Sequence, residues 1–403
     1  MSNRNMSENA DSRELFNISR VKVKWYDTIL LLVGSVLAAV DPVTDILTLR
    51  EFYLKDHKIW FGVGLVFVVW PSLSMTLIHC RLVILQWKSK GEDKRMMGLI
   101  PDVIFGWNPL SLFCMRFKAF ILCARNFKKL WHDESLEDYC REQIQQLIFS
   151  ANSSGMIEAV LESAPQFIIQ LHAVVVLQEQ VSIIQMISLC ASFLSITWTF
   201  ANGNVRNLMS LEGREREIDS TTCKIKTTVV FYLSWLFHLS SRLLAITFFT
   251  VGFKWWAFAL LVFHFIVLVA LYRVWGENIL IKIYGTTQTD DTQTTLNEKQ
   301  RDCMRKVTII IGLLAASLST TLMGYCPGPN IFAEKDKSLL IRALSLFFLF
   351  TVIENVVMIC VFYSKEEPHA WYSVPVTVCV CVFSLVGGLV KVALYYFILW
   401  ERD

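Results

Sequence analysis

Very little in this sequence is equipped for covalent chemistry. None of the eleven cysteines forms a CxxC pair, so no disulfide framework or zinc spacing is visible. No two of the seven histidines stand three or four residues apart, which excludes the histidine boxes of membrane di-iron enzymes. No nucleophile–base spacing stands out either, and we expect no enzyme, no cofactor and no metal. Charge is also scarce, at 18% of residues against about 25% in soluble domains. The net charge of +3 is small, and its basic residues fall in short blocks between apolar segments. That pattern reads as membrane topology and argues against a nucleic-acid partner. A short cleavable leader is missing: residues 1–24 are polar, carry Arg4, Arg13, Arg20, Lys22 and Lys24, and lead into a full-length apolar segment.

What is abundant is hydrocarbon, with 54% of residues hydrophobic. The apolar segments are 26–49, 59–87, 99–124, 155–177, 181–201, 227–250, 255–275, 307–325, 339–363 and 371–399, most of them about long enough to cross a bilayer. Basic blocks follow the second, third, fifth and seventh of these: Lys88–Arg95, Arg125–Lys129, Arg206–Lys226 and Lys282–Lys306. All four are expected to be cytoplasmic, with the N-terminal tail (1–24) on the same side. Segment 99–124 then has basic blocks on both flanks, and its centre, FGWNPLS (105–111), is rich in turn residues. The spacing predicts two half-helices in a re-entrant hairpin, with a tilted single span as the alternative. Segment 371–399 is ambiguous, because Gly387-Gly388 suits either a hairpin tip or a close helix contact.

The expected fold class is therefore an all-α polytopic membrane protein of about eight transmembrane helices plus re-entrant half-helices. It forms a single membrane domain over 25–400, with a cytoplasmic helix at 131–150 and a cytoplasmic loop at 276–305.

Segment 155–177 carries polar groups where a bilayer wants none. Glu158, Glu162, Gln166 and Gln170 recur every four residues and form one slowly winding ridge. Pro165 removes the hydrogen bond its nitrogen would have given to Leu161. The first segment holds Asp27, Asp41 and Asp45, and the eighteen residues from first to last rise about 27 Å, close to the bilayer's ~30 Å. Pro42 is expected to kink that helix. Glu354 adds an acid in a late segment, and Arg116, Arg242, Arg342 and Lys391 supply cations. A charge at the bilayer centre costs about 2.5–3.5 kcal/mol on insertion scales. These groups must pair or line a hydrated path, and both readings stay open.

Several of these stretches also resemble one known family. ESAPQFIIQLH (162–172) is similar to the signature run of the XK-related membrane proteins. DPVTD (41–45) resembles their D-x-x-T-D run, Pro42 being a departure, and WPSLSMTLI (70–78) their second-helix Pro-Ser run. SSRLLAITFF (240–249) and VIENVVM (352–358) resemble two later motifs, in matching order. The resemblance implies eight spans with re-entrant helices and phospholipid scrambling between plasma-membrane leaflets, exposing phosphatidylserine, often in apoptosis. It also implies activation by a caspase in some members. Here Asp11 in ENADS and Asp219 in EIDST have the form such proteases cut. The expected lipid-pathway residues are Asp27, Asp41, Asp45, Glu158, Glu162, Gln166, Gln170, Arg242 and Glu354, with Arg242 as a partner of the acids. Membrane phospholipids are the expected partners, together with a single-span protein or a second copy. The alternatives are a secondary transporter or channel using the same charges, and a partner-binding membrane protein without transport of its own.

Overall fold

The computed structural model describes residues 23–71, 73, 111–132, 137–178, 181–211, 221–254, 256, 259–267, 269–270, 337–365 and 372–400. Among them all regular structure is helical. The helices are α1 (Trp25–Leu54), α2 (Lys58–Pro71), α3 (Ser111–Arg125), α4 (Phe127–Trp131), α5 (Asp138–Glu158), α6 (Ala164–Leu177), α7 (Ile183–Leu211), α8 (Thr221–Phe253), α9 (259–267), α10 (Lys337–Lys365) and α11 (Ser373–Trp400). Six stretches are long and apolar enough to cross a membrane: Trp25–Leu54, Ser154–Leu177, Ile183–Gly203, Thr228–Phe253, Ser345–Lys365 and Ser373–Leu394. The chain is thus an all-α, multi-pass membrane protein. The expected count of eight also needs 307–325, which lies outside the described residues, as do most of 72–87 and the turn 105–111 up to Ser111, where α3 begins. Asp11 and Asp219 lie outside them too.

The helices refine the sequence reading. The helix expected at 131–150 begins at Asp138 and runs on without a break into the next segment. From Asp138 the chain runs through α5, a π turn at Ala159–Ser163 and α6 as one continuous helix. In that turn Ala164 N–H bonds back to Ala159 O, five residues away. The wider turn absorbs Pro165, whose missing N–H would have interrupted a tighter ladder. Pro42 stands inside α1, which continues through it over thirty residues. Finally, 371–399 is neither hairpin nor re-entrant, because α11 is one helix and Gly387 serves close packing. A Cβ on Gly387 would stand 2.8 Å from the backbone nitrogen of His238 on α8. Gly387→Val is therefore expected to push α8 and α11 apart and cost about 1–3 kcal/mol, measurable as a lower unfolding temperature in detergent. Unchanged stability would show that the two helices are free to separate.

Apolar cores hold the helices together. Ala164, Ile196, Phe200, Trp235, Leu239 and Leu243 bury one between α6, α7 and α8. Leu31, Ala119, Cys123, Ile144 and Ile148 bury a second between α1, α3 and α5. Ile246, Met358, Phe362 and Val380 close a third between α8, α10 and α11. Valines, leucines and isoleucines on the outer faces, such as Val36, Ile353 and Val382, stay exposed, as lipid-facing positions of spanning helices do.

Candidate functional site

The buried polar residues of α1, α6 and α7 meet in one seam. Helices α1 and α7 run antiparallel, and their contacts pair off in reverse order. Ser182 Oγ, just before α7, donates to Glu51 Oε2. Ser188 Oγ donates to Asp45 Oδ1 at 2.6 Å, and Ser192 Oγ to Asp41 Oδ1 at 2.6 Å. Across from α7, the π turn and α6 close on the same two acids. Ser163 Oγ donates to Asp41 Oδ2 at 2.8 Å, and Gln170 Nε2 to Asp45 Oδ1 at 3.0 Å. Gln166 Nε2 reaches Gly64 O of α2 at 2.5 Å. Carboxylates from two separate helices, α1 and the π turn between α5 and α6, therefore share one neighbourhood, in which Glu162 is electrostatically coupled to Asp41, Asp45 and Glu158.

The seam has more acceptors than donors. Asp45 Oδ2, Glu162 Oε1 and Gln170 Oε1 are buried with no hydrogen-bond partner among the described residues. A buried polar atom left unpaired costs about 1–3 kcal/mol, so this arrangement carries a standing penalty. Asp45 is fully buried, and Asp41, Glu162, Gln166 and Gln170 are nearly so. These side chains are therefore sealed from solvent. Among the described residues no group of three or more His, Cys, Asp or Glu side chains is arranged to hold a metal ion.

The cation at the seam is Arg116, not the expected Arg242. Arg116 Nη1 donates to Gly34 O at 3.0 Å and Nη2 to Thr199 Oγ1 at 3.2 Å, while its charge is attracted to Glu158. Gly155 makes room for it, since a Cβ there would stand 2.8 Å from Nη2. Arg242 belongs to a second cluster between α8, α9, α10 and α11. Its Nη1 donates to Glu354 Oε2 at 2.8 Å and to Asn355 Oδ1 at 2.9 Å. His264 Nδ1 lies 2.6 Å from Glu354 Oε1, and Asn355 Nδ2 reaches Ser241 and Ser384. Asp27 takes a third place: its Oδ2 accepts the backbone N–H of Lys24 at 2.8 Å and caps α1. Of the nine expected pathway residues, Asp41, Asp45, Glu158, Glu162, Gln166 and Gln170 come together. Arg242 and Glu354 form a pair of their own, and Asp27 stands apart.

Sequence reasoning missed the serines of α7. Ser188, Ser192, Ser195 and Thr199 follow one another at spacings of four, three and four, a helical face, and all are buried. That periodicity was available to find them.

Lys391 of α11 sits in a further environment. Its Nζ lies 3.2 Å from the ring centroid of Trp235 and 5.1 Å from that of Phe348, and among the described residues no hydrogen-bond acceptor reaches it. A desolvated cation–π contact returns about 2 kcal/mol, while placing a lysine at membrane depth costs about 2.5–3.5 kcal/mol. The rings do not fully compensate the buried charge. A family model described as XK-related protein matches residues 29–400, nearly the whole chain.

Proposed function

The chain belongs to the XK-related family, and from that premise we propose that it is a phospholipid scramblase, a protein that lets lipids pass in both directions between the two leaflets without an energy source. Its place is the plasma membrane, with the N-terminus in the cytoplasm, and its outcome is phosphatidylserine exposure, in apoptosis among other settings. A single-span membrane protein or a second copy would accompany it, and a caspase acting at Asp11 or Asp219 would trigger it. No bond is made or broken, so the protein is not an enzyme.

The observation that supports this reading is the acceptor-rich seam of α1, the π turn, α6 and α7. A headgroup cannot cross hydrocarbon cheaply, because burying unpaired charge is costly. Asp41, Asp45 and Glu162, with their serine and glutamine donors, offer polar partners in the interior of the bundle. Three of the acceptors there lack a partner of their own. When the seam opens, such groups replace headgroup hydration step by step while the acyl chains stay in lipid. Arg116 supplies an opposite charge against Glu158.

The test is purified full-length protein in liposomes carrying labelled phospholipid in both leaflets. Dithionite added outside quenches only outer-leaflet label. Active protein is expected to bring the quenched fraction from about half towards completion, since inner-leaflet lipid then becomes reachable. Protein that leaves it at half, both intact and after cleavage at Asp11 or Asp219, overturns the proposal. A steady ionic current without lipid movement would assign the seam to ion transport instead.

A further inference from the structure

The lipid-facing stripe of α1 ends in an aromatic corner. Ile29, Leu32 and Val36 are exposed at helical spacing along one face of α1, and Trp25 stands one turn before Ile29 on that face. Trp25 packs on Trp131 of α4 with ring centroids 4.9 Å apart, and Trp131 packs on Phe127, one turn back, at 5.8 Å. Phe127 and Trp131 stay exposed, while Leu130 between them is buried and pins α4 into the core shared by α1, α3 and α5. Asn126, at the joint of α3 and α4, donates to Leu122 O at 2.9 Å. Helix α4 therefore sits where α1 enters the membrane, continuous with the lipid-facing surface and outside the bundle.

The same corner carries charge of one sign. Arg125, Lys128 and Lys129 are exposed, and from Ser111 to His132 the chain holds no Asp or Glu, the acids beginning at Asp133. Tryptophan rings at the edge of the hydrocarbon with basic residues beside them are the chemistry that engages an anionic lipid surface. A soluble acidic partner would answer the cations but not the exposed rings, which continue the lipid-facing stripe. We propose that α4 and the last turn of α3 form an outer rim that seats the protein on the anionic lipid of the adjoining leaflet. The rings anchor at headgroup depth, and Arg125, Lys128 and Lys129 gather anionic lipid by charge alone, with no pocket shaped to one headgroup. In the orientation proposed above that leaflet is the cytoplasmic one, but the rim itself requires neither that orientation nor lipid movement. Helix α3 also carries Arg116 of the seam, so one helix seats both the rim and the seam.

The test is photo-crosslinking of the full-length protein in nanodiscs of equal phosphatidylserine and phosphatidylcholine. His132, exposed just after α4, is replaced by the photoreactive residue p-benzoylphenylalanine. The rim is expected to capture phosphatidylserine about fivefold over phosphatidylcholine, the factor one basic residue near an anionic surface contributes. Phosphatidylglycerol should be captured as well as phosphatidylserine, since charge and not headgroup shape decides. Salt at about 1 M shortens the screening length to about 3 Å and should bring the preference close to parity. Arg125→Gln, Lys128→Gln and Lys129→Gln together should do the same at low salt with the unfolding temperature unchanged, because all three side chains are exposed. Equal capture of the two lipids by the unaltered rim overturns the proposal, and so does a preference that survives the triple substitution. Capture of neither lipid overturns it as well, and would leave the rim to a soluble acidic partner. The preference without lipid movement in liposomes keeps the rim and removes the scramblase reading; lipid movement without the preference does the reverse.

Discussion

Glu354→Ala is expected to destabilise the bundle by about 3–5 kcal/mol, the range for removing one partner of a buried ion pair. Arg242 is fully buried, and its Nη1 lies 2.8 Å from Glu354 Oε2. Alanine at 354 takes that carboxylate away from the guanidinium and leaves its bond to the Asn355 side-chain oxygen at 2.9 Å. It also takes away the oxygen 2.6 Å from His264 Nδ1, so α9 loses a polar tie to α10. The loss comes from removing one partner of a buried charge rather than from the pair's own strength, because attraction and desolvation nearly balance in such pairs. Arg242→Met with Glu354→Leu should therefore sit much closer to wild type than Glu354→Ala alone. Unfolding in mixed micelles, followed for the two single variants and the double, measures the coupling. If the single variant is no worse than the double, the Arg242–Glu354 contact is not what holds α8 to α10.

This second cluster shows where sequence reading reached its limit. Arg242, His264 and Glu354 are far apart in the chain, and no spacing within one helix tells which acid Arg242 meets. The alignments within single helices were legible. Asp41 and Asp45 lie one turn apart, and Glu162, Gln166 and Gln170 share a face; the structure brings all five to one seam. Their partners were harder to see, because a serine within an apolar run raises no alarm. Ser188 and Ser192 matter only because α7 runs antiparallel to α1 at the right height. Pro165 was legible as a broken hydrogen bond but not as a π turn, since the chain could equally have kinked. Gly387-Gly388 gave two readings for the same reason: a glycine permits both a turn and a close contact, and only the facing helix decides between them. The aromatic clamp on Lys391 needs three helices, and no single stretch of sequence contains it.

Asp45→Asn is expected to move stability and lipid transport in opposite directions. The asparagine is isosteric, and its Oδ1 keeps the bonds from Ser188 at 2.6 Å and Gln170 at 3.0 Å. Its amide replaces Oδ2 and takes one of the acids away from beside Asp41 and Glu162. With fewer carboxyl groups crowded into one buried seam, stability should rise by about 1–3 kcal/mol. Transport should suffer by the same change: a carboxyl group unsatisfied in the closed seam is an acid for a passing headgroup to meet, and a neutral amide is not. A tenfold slower flip corresponds to about 1.4 kcal/mol on the barrier, a fraction of what one buried charged contact supplies, so a drop of at least that size is expected in the dithionite assay. Ser188→Ala is the control. It strips a donor but keeps the charge, so it should lower stability and leave lipid movement within a few-fold of wild type. The two variants thus separate a charge that lipid uses from one that only the fold uses. If Asp45→Asn is stabilised and still flips lipid at the wild-type rate, the seam is a structural seal and the lipid crosses elsewhere on the bundle.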